Sequence, residues 1–173
     1  GPTHGFNEVE CPLMMQIEAD KLPDNLFDLL GEYRVSSYCT EGTIFLYKSN
    51  IYKIGLLFHN NIGSALGMSL TYCVDLIREI VRWHQLGHWI THWVPGKDHH
   101  RWNSISYRYD DESKEVHEAL AMAFVQFAIL HIEDDNRRNH YQILFHYMLH
   151  NQQKLYYLYN QLLKHPRFGW NTL

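Results

Sequence analysis

His84 and His88 stand four residues apart in the stretch WHQLGHWITHW (83–93). On a helix, an i, i+4 pair projects both imidazoles from one side, close enough to share one metal ion. Neutral imidazole suits zinc and several other divalent metals, so the pair defines a ligand type before it defines a metal. His92 continues the series, but at about 1.5 Å per residue it lies roughly 12 Å along the axis from His84. That distance is too great for the same ion and leaves His92 an outer or surface role. A metal site needs at least one further ligand. Glu118 in KEVHEALAMAF supplies a carboxylate, and His99 or His100 in KDHHR supplies a third imidazole. Glu115, one turn before Glu118, belongs to an exposed helix start.

These side chains are useful only if helices aim them. Leu70, Val74, Ile77 and Val81 recur at spacings of four, three and four, which predicts a helix over 69–92 with one inward stripe. Extending that stripe reaches His84 and then His88, so both imidazoles are expected on a buried face. Buried imidazoles require polar partners, and a metal ion supplies them. A second helix is predicted over 112–133, with an apolar line through Ala121, Val125, Ala128 and Ile132. Glu118 begins that line, where a carboxylate is costly unless neutralised by a metal, Arg or Lys. Ala119, Ala121 and Ala123 would let this helix approach the histidine helix closely. The DHH residues lie instead in a polar connection, 95–111, opened by Pro95-Gly96.

Around this frame, PDNLFDLLGEY (23–33) reads as a short helix ended by Gly31. RVSSYC, TIFLYK and IYKIGLLF, rich in β-branched and aromatic residues, read as antiparallel strands. NNIGSALG (60–67) reads as a loop, and a third helix is predicted over 136–165, stopped by Pro166. The acidic link EDD (133–135) is short enough to make the last two helices an antiparallel pair. Residues 1–20 are weakly patterned. The expected fold class is α+β, a mostly helical single domain over 1–173 with a small antiparallel sheet before the histidine helix.

Length and composition narrow the functional classes. The chain of 173 residues is enough for one domain with a real core. A net charge of −4 leaves no broad cationic surface for phosphate backbones, so nucleic acid is not an expected partner. No apolar run is long enough to cross a bilayer, which argues against a membrane partner. Three scattered cysteines, Cys11, Cys39 and Cys73, form no disulfide framework and favour a reducing, cytoplasmic setting. Gly1-Pro2 reads as the remnant of a cleaved tag. Composition leaves the oligomeric state open.

HQLGHWITH, followed by E-x-x-A on a downstream apolar helix, resembles the zincin metallopeptidases. Within them it is similar to the Glu-zincin arrangement and to ImmA/IrrE-type proteases. The resemblance covers about 83–92 and 117–124. It implies Zn2+ held by His84, His88 and Glu118, and hydrolysis of a peptide or protein substrate. It also implies a small sheet before the motif helix, with one edge that receives an extended peptide. Position 85 would hold the general base, Glu in the H-E-x-x-H motif. This chain has Gln85, which matches Glu in size but cannot accept a proton from water at the metal. Zinc binding should persist and hydrolysis should fall by orders of magnitude. Two origins of Gln85 compete, a deliberate Glu-to-Gln replacement and a natural pseudoprotease that acts as a metal-holding binding or regulatory module. Zincin chemistry also needs a group that stabilises the oxyanion. His140, Tyr141, His146, Tyr147 and His150 are the candidates on the third helix. HYMLH (146–150) is also a second i, i+4 histidine pair, and a purely structural domain with core histidines is the remaining rival.

Overall fold

The computed structural model describes residues 6–11, 21–35, 42–93, 111–150, 152, 159–161 and 164. In chain order the elements are β1 (Phe6–Val9), α1 (Leu26–Leu30), β2 (Gly31–Val35), β3 (Gly42–Tyr47) and α2 (Lys48–Phe58). Helical turns over His59–Gly63 and Ser64–Leu66 lead into α3 (Leu70–Trp93), followed by α4 (Asp111–Leu130) and α5 (Asp135–Leu149). The fold is α+β and mostly helical, with a small sheet preceding the histidine helix, as the sequence implied.

The sheet itself differs from expectation. Its order is β1-β3-β2, and it is mixed rather than antiparallel. β2 runs antiparallel to β3, with Gly31 opposite Leu46 and Val35 opposite Gly42. β1 runs parallel to β3, with Phe6 opposite Ile44 and Val9 opposite Tyr47. A parallel neighbour needs a crossover connection, and here α1 and β2 intervene between β1 and β3. β1 comes from the segment that read as weakly patterned, because a four-residue strand offers too little alternation to register. On β3, Ile44 and Leu46 point into the core while Thr43 and Phe45 are half-covered, the expected two-residue period.

The other corrections concern the helices that flank the sheet. IYKIGLLF is helical, part of α2, and buries Ile51, Ile54 and Phe58 at spacings of three and four. Asn50, also buried, donates from Nδ2 to the Leu29 carbonyl at 2.7 Å and ties α2 to α1. NNIGSALG is helical turn rather than loop. The predicted helix at 23–33 shortens to α1 because Gly31 is already the first residue of β2.

α3 follows the prediction closely. Ser69 caps it by accepting the Tyr72 N–H on Oγ at 3.1 Å. α4 runs over nearly the predicted span. α5 begins as expected, with Asp134 accepting the Arg137 N–H at 2.7 Å, and is described to Leu149. The Pro166 stop lies outside the described residues. A single apolar core draws on α1, β3, α2, α3, α4 and α5. Ile54, Ile77, Ile80 and Val125 in it are fully buried, and each such side chain contributes about 1.5–3 kcal/mol.

Candidate metal centre

Leu70 is half-covered, while Val74, Ile77 and Val81 are buried, and the stripe continues into His84 as predicted. His84 is 1% exposed, and the His88 side chain, one turn on, is 16% exposed. On α4 the buried line differs from expectation. Met122, Val125 and Ile129 are fully buried, whereas Ala128 and Ile132 are only half-covered. Ala121 and Val125 of the predicted line are fully buried as expected, and one turn back from Ala121 or Met122 is Glu118.

A close helix crossing brings these lines together. A Cβ placed on Gly87 would stand 2.9 Å from the Ala121 Cα and 3.2 Å from its carbonyl oxygen. Backbone therefore meets backbone, and the absence of a side chain at Gly87 permits the approach. Because Gly87 precedes His88 by one residue and Ala121 follows Glu118 by three, the crossing faces Glu118 toward both imidazoles. Gly31 plays the same part where β2 lies on α3. A Cβ there would be 2.8 Å from Val81 Cγ1 and 2.9 Å from the Phe45 carbonyl oxygen.

The three side chains converge. His84 Nε2 lies 3.1 Å from Glu118 Oε2, and His88 Nε2 lies 3.1 Å from Glu118 Oε1. The two Nε2 atoms are 3.2 Å apart. Ligand atoms about 2.0–2.1 Å from a tetrahedral zinc lie roughly 3.3 Å from one another. The two imidazole nitrogens are thus spaced as neighbouring ligands of one such ion, and each faces one oxygen of Glu118. Among the described residues this is the group of His, Cys, Asp and Glu side chains able to hold a metal ion.

The electrostatics fit that use. Burial lowers the His84 pKa and keeps the ring neutral, as a ligand must be. Burial alone would raise the Glu118 pKa, but the two imidazoles outweigh it and hold the carboxyl well below the usual carboxylate range. Each imidazole faces one Glu118 oxygen through Nε2, and the two Nε2 atoms face each other. His84 Nδ1, at the far side of the ring, is buried without a hydrogen-bond partner among the described residues. A buried unpaired nitrogen costs on the order of 1–3 kcal/mol.

Gln85 is buried as well, at 3% exposure. Its amide Nε2 would stand 3.3 Å from a Cβ on Gly31, which places it beside the first residue of β2. No family model, curated protein or solved structure matches this chain. The site is therefore read from its own geometry.

His99 and His100 lie outside the described residues, as does the side chain of His92. The oxyanion candidates are committed elsewhere. Tyr141 is buried against Trp83, with its hydroxyl 3.4 Å from an Arg137 nitrogen. His140 pairs with the Tyr72 hydroxyl at 2.8 Å, Tyr147 packs on Phe58, and His146 and His150 face solvent. Sequence reasoning missed Phe27, whose ring lies 4.7 Å from that of His84. Nothing in PDNLFDLL distinguishes it from the other apolar residues of a short helix.

Proposed function

We propose that this chain is a zincin-type metallopeptidase domain whose general-base position is filled by Gln85. The observation that carries the reading is the convergence of His84, His88 and Glu118 to within 3.1–3.2 Å. Their donor set, two imidazoles and a carboxylate among the described residues, is one that catalytic zinc sites use. A bound zinc would polarise a carbonyl and lower the pKa of water to about 7.

The chain's own groups supply the rest. His84 and His88 fix the ion from one helix, and Glu118 balances its charge from another. The H-x-x-x-H spacing puts residue 85 one position beyond the first ligand, and its side chain reaches β2. A peptide adding to the outer edge of β2 would pass that side chain, and β-addition is the docking mode we assign to an extended substrate. A glutamate at 85 would take a proton from water and return it to the leaving amine. Gln85 can hydrogen-bond in the same place but cannot make that transfer.

Gln85 itself favours a second reading, a metal-holding module that binds peptide without cutting it. Zinc content and one reversion separate the possibilities. The chain should carry about one zinc, and His84→Ala should lose it. Gln85→Glu should then cleave an unfolded protein or peptide library in a chelator-sensitive way. Zinc binding without cleavage by Gln85→Glu would move the function to the binding module, and absence of zinc would end both readings.

A further inference from the structure

Metal-ligating histidines usually donate their other ring N–H to a carboxylate or carbonyl, which fixes the tautomer and the ring's rotation. His84 lacks that device, because its Nδ1 is buried with no hydrogen-bond partner among the described residues. Its rotation matters nonetheless. A swing of the ring plane about Cβ–Cγ would carry Nε2 away from Glu118 and out of the cluster. Two rings bound the imidazole instead. His88 meets it edge-on, with centroids 4.7 Å apart and planes at 89°. Phe27 covers it more nearly face-on, at 4.7 Å and 34°. His88 is itself only one turn away on the same helix and shares the cluster, so the independent constraint comes from α1. Phe27 is 2% exposed in a helix whose Leu26 and Leu30 anchor it in the core.

We infer that Phe27 is a positioning residue for the candidate metal centre: its ring holds the plane of the His84 imidazole, and so keeps Nε2 in line with Glu118, in place of the missing hydrogen bond to Nδ1. The role goes beyond core filling, because a flat face restrains the rotation of a neighbouring flat ring while an aliphatic side chain of similar volume does not. The inference rests on the metal reading proposed above.

Zinc affinity tests it, measured by competition with a chromophoric chelator on folded, metal-stripped protein. Phe27→Leu and Phe27→Met keep most of the volume and remove the face, and should bind zinc on the order of tenfold more weakly. Phe27→Tyr restores the face and should bind close to the parent chain. Leu26→Ala, a cavity in the same helix, should lower the melting temperature without changing zinc affinity. If folded Phe27→Leu and Phe27→Met both bind within twofold of the parent, Phe27 only fills the core and the inference fails while the metal reading stands. If Leu26→Ala weakens zinc as much as they do, general loosening explains the loss and the inference fails again. A parent chain that takes up no zinc overturns this inference and the metal reading together.

Discussion

At the scale of single residues, the centre is defined by what each group does without a proton. His84 is kept neutral by burial, and Glu118 is kept ionised by two imidazoles that overcome its burial. Both shifts make acid destabilising. In the unfolded chain His84 would take up a proton below its ordinary value of 6.5, and Glu118 below 4.5, whereas the folded protein resists both. The unfolded state therefore binds more protons as pH falls, and stability falls with it. The metal-free protein should lose melting temperature from about pH 6.5 downward, first through His84 and then through Glu118. His84→Gln, which removes the first of these groups, should flatten the upper part of that slope in thermal melts recorded from pH 7 to pH 5. An equal slope in the variant would show that other groups set the acid limit.

At the scale of elements, the crossing of α3 and α4 at Gly87 and Ala121 decides whether the ligands meet. Gly87→Ala should gain roughly 1 kcal/mol of helix propensity. It would also drive a methyl into backbone 2.9 Å away, and overpacking of that kind typically costs about 1–3 kcal/mol. The net expectation is lower stability in denaturant melts, with zinc affinity reduced as the helices part. Stability and affinity both unchanged would remove the crossing from the account. The same elements show what the sequence carried. α3 was legible because its stripe holds a helical period through Val81 into His84, and Glu118 because a carboxylate so near an apolar line demanded a partner. α2 was not, since IYKIGLLF has the composition of a strand. Only the spacing of Ile51, Ile54 and Phe58 marks a helix, and it competes with that composition. The parallel place of β1 was beyond reach, because pairing between distant segments leaves no local signature in either. Phe27 was invisible for a related reason: its importance lies in the ring it faces, and residue 84 is far away in the chain.

At the scale of the whole molecule, the candidate metal centre continues the buried stripe of α3 beside one apolar core. Ile54, Phe58, Ile77 and Ile80 are fully buried and none of them is a candidate ligand, so the chelator-treated protein is expected to keep its helical circular dichroism. Zinc at a hundred times its dissociation constant should add about 2.7 kcal/mol, seen as a higher melting temperature that chelator reverses and His84→Ala lacks. Unfolding on chelation would instead mark a structural metal. No described helix is long and apolar enough to cross a membrane. Two of the three candidate ligands share α3 while the third arrives on α4, and backbone meets backbone where these helices cross at Gly87 and Ala121. An ion bound there would be a removable cross-link. With it, the far turns of both helices would open only in concert; stripped of it, they would loosen independently while the sheet and α2 stayed closed. The molecule would then have one firm end and one whose compliance is set by metal supply.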